Sequence, residues 1–525
     1  MAAGCGSNFN EFSGTTTVQM NTHGLWKDAR AETIGEKLGV STACGQLRFQ
    51  QLLSRPLETN ADRLRDHQKT ILAYRNQPAA TLARNEAHFR VLREIEPALA
   101  SFHQPSSLEK EAVEQILFSG NQHLQILNSV PYLLALVSIW KQYVVPALAI
   151  CLPVLFFLLP FAAMRWIYGL PIEFHQYIEI FCKTMGIPSS FNKLEMKQTA
   201  QLLVTSISLG QSIYHPVQTS FHIQKIDTEI QSKTKAFLQF KEIFSDFFPS
   251  SSYLFEDLPA EDTRRSFADL WDFSFKLRYA LDMVGDVEVI HRFAVHPNIR
   301  PVSFEAGRSV CMKQLLDPLL ESKSIPVSFF FSKQKQHSLL TGPNGGGKSS
   351  ALRCILVNIL LAQTLGIYFG TETAECRLHP FDWIQSGLHL EDTPGELSLF
   401  EREVQFASSA IQRAKSNPTQ RGLLLFDELF HSTNPPDGER TATVFLEQVW
   451  SCPTLSSIIS THVFSLAEKA PSHVQTLCVP AHKDLDGRLT FTYTLQPGIC
   501  KVSSVDRILQ ECGFFPPGKP EIEKE

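Results

Sequence analysis

Three short stretches of this chain combine residue types and spacing suited to a phosphorylated substrate. Residues 341–350 read TGPNGGGKSS, so Gly342, Pro343, Asn344, Gly345, Gly346, Gly347, Lys348 and Ser349 satisfy G-x-x-x-x-G-K-[ST], with Ser350 next in line. Consecutive glycines let backbone N–H groups curl around phosphate oxygens, and a helix starting there adds positive potential. Lys348 would neutralise the β- and γ-phosphates of ATP, and the Ser349 hydroxyl would complete a Mg²⁺ shell. The second stretch, GLLLFDEL (422–429), ends an apolar run on Asp427 and Glu428, 427 − 348 = 79 residues after the lysine. Asp427 would hold Mg²⁺ through water, and Glu428 would polarise the attacking water. The third stretch, SSIISTH, closes on His462, whose imidazole could donate to the γ-phosphate. A histidine beyond an apolar strand is usually a surface residue. Behind this P-loop and this acidic pair, a catalytic reading is the better one.

These groups need rigid strands and a helix behind them. HSLLTG (337–342) reads as the strand entering the P-loop, and SALRCILVNILLAQTLG as the helix leaving it. From about residue 297, short β-rich runs alternate with helical stretches: GLLLFDEL, LSSIISTH (455–462) and LTFTYTL (489–495). That alternation predicts an α/β domain with a partly parallel sheet.

The remainder reads differently. Residues 1–40 are Gly-, Thr- and Asn-rich and are expected to be a loose entry segment; 41–127 turn helical, broken once by Pro56. Charge then disappears. Between Lys141 and Arg165 lie 23 residues without an ionisable group other than the phenol of Tyr143 and the thiol of Cys151. As a helix they would span roughly 34 Å, enough for a hydrocarbon core of about 30 Å. Trp140, Tyr143, Trp166 and Tyr168 stand at the ends as headgroup-level aromatics, and Pro146, Pro153 and Pro160 argue against a straight soluble core helix. PYLLALVSIW (131–140) just ahead could make the segment a tight hairpin. The rival reading is a buried helix in a large helical domain. Residues 170–295 are helical again, with FPSSS (248–252) as a polar connector and an interruption expected near Pro216.

The chain has 525 residues, 43% hydrophobic and 19% charged, which suits two to four domains with proper cores. A net charge of −5 gives no global pull toward nucleic acid or anionic lipid. The 11 cysteines show no C-x-x-C pair and no metal spacing, which fits reduced, mostly buried thiols. No secretory signal is read at the N-terminus, and the tail PPGKPEIEKE is expected to fray.

Taken together, the motifs resemble the MutS family of mismatch-repair and recombination ATPases. TGPNGGGKSS is similar to the family's TGPNMGGKST. FDELFHSTNPPDG keeps the length of DELGRGTSTxDG and retains Asp427, Glu428, Thr433, Asp437 and Gly438, while Phe430, His431 and Ser432 replace glycines and an arginine. STHVFSLAEKAP is similar to ATHYFEL, and YTLQPGICKVSSVDRILQECGF to the family's closing strand and helix. In GELSLFEREV, Ser398, Phe400 and Glu403 can be laid on a signature segment, which implies that Ser398 of a partner subunit approaches the γ-phosphate. Upstream, Thr42, Gly45, Leu52, Pro56, Leu57 and Gln68 fall on the entry of the family's helical core. LRYALDMVGDV (277–287) looks like the segment just before the ATPase domain.

The resemblance implies an α + α/β chain. Its parts would be a helical core-like segment (41–127), an inserted transmembrane segment (128–168), a second core- or lever-like segment (169–296), an ABC-type ATPase domain (297–515) and a tail (516–525). It implies ATP with Mg²⁺, a homodimer formed or tightened by ATP, and double-stranded DNA as the load. The apolar segment adds a lipid bilayer, with the ATPase domain facing the cytosol or an equivalent reducing compartment. No convincing Phe-x-Glu wedge is read near the N-terminus, so mismatch recognition by the usual wedge is not expected. The alternative is a membrane-bound mechanical or signalling ATPase acting on a protein without DNA.

Overall fold

The computed structural model describes residues 22–102, 110, 117–118, 126–184, 196–256, 262–389, 398–483 and 489–502. The frayed tail expected at 516–525 lies outside them. The chain forms two compact units. One is built from residues within 91–281, and the other joins the helices up to residue 90 to everything from 282 onward.

Among the described residues the second unit holds two large sheets and a two-stranded one, Ala481–Lys483 paired with Leu489–Phe491. In one large sheet, strands lie in the order Gln496–Pro497, Val474–Cys478, His337–Thr341, Leu455–Ser460, Gly422–Phe426 and Trp383–Gly387, all parallel except the first. HSLLT, GLLLF and LSSIIS are buried along their whole length, as parallel strands covered on both faces must be. The other large sheet is mainly antiparallel, in the order Ile299–Pro301, Ile367–Leu378, Val310–Leu315 and Val327–Phe331. Lys348–Leu365, the helix leaving the P-loop, is apolar almost all round and shares one hydrophobic core with residues of both sheets.

Helices read from the sequence as the start of a helical core pack into that same core. Phe49, Leu52 and Leu53 of Ala43–Leu53, and Leu64, Ile71 and Tyr74 of Ala61–Arg75, are all buried in it. Gln68 Nε2 donates to the carbonyls of Val302 (2.9 Å) and Gly366 (2.7 Å). Gly366 ends the P-loop helix at φ 71°, and a Cβ there would stand 2.6 Å from the Leu64 carbonyl. Only glycine fits both demands.

The deepest tie between the early and late parts of the chain is one carboxylate. Glu288, on the helix Ser274–Val295, is fully buried. It accepts from the Ser41 amide (2.8 Å), the Ser41 hydroxyl (3.0 Å), the Thr42 amide (3.2 Å) and the Thr42 hydroxyl, and pairs with Arg292 at 3.2 Å. Thr42 also caps Ala43–Leu53 by accepting from the Gly45 amide. A Cβ on Gly45 would stand 2.0 Å from Glu288 Oε2, which gives the glycine its physical reason.

Residues 1–40 are not wholly loose. From residue 22 they form Thr22–Asp28 and Ala31–Lys37, with Leu25, Trp26, Ala29 and Ile34 buried in the same core. Asp28 accepts from the Ser386 hydroxyl (2.6 Å) and the Leu388 amide (3.2 Å). Two seven-residue helices are too short to display a period, so composition alone gave the wrong impression.

In the first unit, Leu133–Ile167 is one long helix with π-helical turns at Trp140–Val144 and Ala163–Ile167. Pro146, just past the first π-helical turn, and Pro153 and Pro160 all lie inside it. No side chain of Val145–Ala162 is buried. Phe174–Thr184 packs on it through a cluster of Phe157, Phe161, Phe174, Tyr177 and Phe181, and the Tyr177 hydroxyl donates to the Phe157 carbonyl.

The interruption expected near Pro216 does not occur: Met196–Phe247 is one 52-residue helix running through it. The lost hydrogen bond and ring clash cost about 3 kcal/mol. Burial of Ile223, Ile226, Ile230, Phe237, Phe240 and Phe244 further along offsets this. The polar connector at 248–252 is part of a 3₁₀ helix, Pro249–Phe255, whose Phe255 is buried.

Candidate functional site

The strand His337–Thr341 delivers the P-loop, and Gly347 opens the helix at φ 97°. Gly342 (φ 155°) and Gly345 (φ 76°) also take up backbone that L side chains avoid. Lys348 is buried, and its Nζ donates to the carbonyls of Gly342 (3.0 Å) and Pro343 (3.2 Å) inside the loop. Burial pulls its pKa below the ordinary lysine value, opposed by the negative charges of Glu428 and Asp427. Asn344, Gly345 and Ser349 stand exposed at the mouth.

Asp427 and Glu428 leave the end of Gly422–Phe426, the strand one place beyond the P-loop strand's neighbour Leu455–Ser460. Glu428 has φ 52°, a strained conformation for a non-glycine residue. Three contacts hold it. Its amide donates to Ser460 Oγ at 2.8 Å, its carboxylate Oε1 lies 3.1 Å from His462 Nε2, and its carbonyl lies 2.9 Å from His431 Nδ1. The bond to His462 is the main reason the Glu428 carboxyl sits below the usual carboxylate range, against the opposing pull of burial. Ser460 in turn donates to Asp427 Oδ1. One serine thus ties the Asp427 carboxylate to the Glu428 backbone.

The residues that depart from the family pattern form a further layer. His431 Nδ1 lies 3.1 Å from Oε1 of buried Glu403, whose other oxygen accepts from the Ser432 hydroxyl at 2.8 Å. Burial raises the Glu403 pKa. Within this chain Glu403 therefore positions the Glu428 turn.

Ser398 begins the helix Leu399–Ser416 in a capping box: its hydroxyl accepts from the Glu401 amide, and Glu401 accepts from the Ser398 amide. It is exposed and does not line the cleft that holds Lys348 and Glu428.

That cleft, of about 410 Å³, is lined by Asn344, Gly345, Gly347, Lys348, Ser349, Ser350 and Glu428, and on its other wall by Lys323, Ile325 and Tyr493. Asp317, at its edge, is tied to Arg353 of the P-loop helix at 2.8 Å. The sequence reading missed Ser460, Lys323 and Tyr493. Tyr493 has φ 54°, and its ring lies so close to Gly347 that a Cβ there would meet it at 3.0 Å. The half-exposed ring offers a flat surface beside the P-loop, suited to stacking a base. Tyr493→Ala is expected to weaken nucleotide binding about 5- to 30-fold, as loss of one stacking partner worth about 1–2 kcal/mol does. Titration with a fluorescent nucleotide checks this, and unchanged affinity would remove Tyr493 from the site.

No cluster of three or more His, Cys, Asp or Glu side chains at metal distance exists among the described residues. The oxygen donors Ser349 and Asp427 nevertheless suit Mg²⁺, which takes one or two protein oxygens and completes its shell with phosphate and water.

Residues 338–513 match MutS domain V. The chain is 27% identical over 234 residues to the DNA mismatch repair protein MutS of Streptococcus sanguinis (strain SK36), covering 42% of this chain and 27% of that protein. It is 28% identical over 239 residues to the MutS protein of Streptococcus gordonii and 27% over 237 residues to that of Bacillus cytotoxicus, again covering 42% of this chain and 27% and 25% of theirs. The chain thus spans about a quarter of the length of these curated relatives. The P-loop, the Asp427–Glu428 pair and His462 all fall inside the matched region, so the site lies where this chain is similar to MutS domain V.

Proposed function

We propose that this protein is a membrane-anchored MutS-like ATPase that closes as a homodimer on ATP and works as a clamp or switch on double-stranded DNA, its ATPase domain facing the cytosol. The observation carrying the reading is the convergence of Lys348 and Glu428 on one cleft, with Asp427 and His462 hydrogen-bonded into the same turn. Lys348 would exchange its two loop carbonyls for the β- and γ-phosphates. Glu428, kept ionised by His462, would take a proton from the attacking water as it meets the γ-phosphorus. Mg²⁺ held near Ser349 and Asp427 would neutralise charge on the phosphates. Ser398 would approach the nucleotide only from a second subunit. The anchor rests on Leu133–Ile167, which is long and apolar enough to cross a bilayer and has no buried side chain through Val145–Ala162.

The net charge of −5 favours a second reading, in which the load is a protein. DNA retention across a salt series separates the two. Phosphate contacts must weaken steeply with salt, with a slope of about −0.9 per phosphate neutralised. No retention at low salt, with ATP hydrolysis intact, would sink the DNA reading. A protein that washes from membranes in alkaline carbonate would sink the anchor.

A further inference from the structure

We propose that the first half of Met196–Phe247 is a second bilayer-crossing segment, antiparallel to Leu133–Ile167, so that the chain enters and leaves the membrane on the same side. This rests on the membrane reading above and fixes its topology.

The first argument is parity. Helices up to residue 90 and the chain from 282 onward form one body. Glu288 binds the amides of Ser41 and Thr42, Arg48 pairs with Asp286 at 2.7 Å, and Phe49, Phe293 and Leu356 share a core. One body cannot lie on both sides of a bilayer. The intervening chain must therefore cross an even number of times, and a lone crossing by Leu133–Ile167 is excluded.

The second argument identifies the return. Phe174–Thr184 is 11 residues, about 16 Å, and carries Glu179 and Lys183. It is too short. In Met196–Phe247, 27 residues separate Lys197 from Lys225 with no acid, lysine or arginine among them. They span roughly 40 Å as a helix. Leu203, Val204, Ile207, Leu209, Tyr214 and Phe221 are each at least half exposed along this stretch, whereas Ile223 at its end and Ile226 just beyond it are buried. These apolar side chains stand among exposed Ser206, Ser208, Gln211, His215 and His222, so the stretch is less apolar than Leu133–Ile167, but it reaches Lys225 without an acid, lysine or arginine.

Register supplies the third argument. Ser220 Oγ donates to the Gln142 carbonyl at 2.5 Å. The buried later half packs with Thr263–Asp272, which also packs against Ile126–Ser129 and Leu133–Ile139. The earlier half therefore runs along Val145–Ala162, in the opposite direction. Counting from the Ser220–Gln142 bond, 165 − 142 = 23 and 220 − 197 = 23, so Arg165 and Lys197 come about level at the far end. Lys141 and Lys225 bracket the near end. The hydroxyls of the second segment suit such a pair: Ser220 bonds across to the first helix, and Ser212 Oγ donates to its own helix at Leu209 O, 2.7 Å. Satisfied hydroxyls at a helix–helix contact are tolerated in lipid.

The test uses the full chain in sealed microsomes, tagged at both termini, with an Asn-Ser-Thr glycosylation acceptor inserted between Gly169 and Ile172. The expected result is a carbonate-resistant chain whose two tags are digested together by added protease while the insert carries glycan. Tags on opposite faces, or tags and insert on one face, in a carbonate-resistant chain would overturn the two-crossing topology and leave the anchor standing. A chain released by carbonate would remove the anchor itself. Leu209→Arg, placing a charge mid-segment, should leave the insert glycosylated and raise the protease-protected fraction of the C-terminal tag about fivefold or more, with Leu209→Ile unchanged. Equal tag protection in the two variants would overturn the choice of this segment.

Discussion

Glu428→Gln is expected to lower Mg²⁺-dependent ATP hydrolysis by about 10²- to 10⁴-fold, the usual worth of a positioned general base, while ATP binding persists. Glutamine keeps an oxygen for His462 and leaves Lys348 and Ser349 untouched, so the phosphates keep their partners. The variant should accumulate as an ATP-bound dimer, seen as a doubled mass in sedimentation that wild type reaches only transiently. Equal turnover in the two proteins would reject Glu428 as the base. A companion measurement concerns pH. His462 holds the Glu428 carboxyl low, so removing the imidazole (His462→Ala) should let that pKa rise. A base with a higher pKa is protonated, and lost, at higher pH. The acid limb of the pH–rate profile should therefore move upward in the variant, and an unmoved limb would show that the 3.1 Å contact does not tune the base.

The second large effect is on stability. Glu288→Ala is expected to cost about 3–5 kcal/mol, because it leaves the amides and hydroxyls of Ser41 and Thr42 buried without their acceptor. At about 2–4 °C per kcal/mol for a unit of this size, the melting temperature should fall by roughly 6–20 °C. Limited proteolysis gives the sharper readout. Cleavage should appear first between residues 37 and 61 in the variant, where the early helices meet Ser274–Val295. A wild-type melting curve with wild-type cleavage would show that packing alone holds these helices.

What the sequence disclosed depended on how local each feature is. The P-loop, the strand ending on Asp427 and the strand ahead of His462 are contiguous patterns, and their strands stand where the apolar runs place them. Ser460 could not be seen that way. Its role comes from two strands lying side by side, 33 residues from Asp427 along the chain. Tyr493 was read only as strand, whereas its positive φ and its contact with Gly347 come from the chain folding back over the P-loop. Glu288 was one acid among several on a helix; nothing nearby in sequence announces that its partners are Ser41 and Thr42, 247 and 246 residues away. Pro216 misled in the opposite direction, since a local breaker was outweighed by distant burial of the same helix.

The bond between Glu288 and Thr42 also sets a schedule for synthesis. Residues 22–90 leave the ribosome early, yet Glu288 and the strands completing their core come only after residue 282. The 281 − 90 = 191 residues between them take about 10–40 s at 5–20 residues per second. Through that interval Trp26, Phe49, Leu52 and Ile71 have no core to enter. The nascent chain must carry its own first helices as exposed apolar surface while the middle of the molecule is made. A holdase acting on ribosome-bound chains is thus most needed between these two points of elongation, and chains stalled there should be the most prone to aggregate.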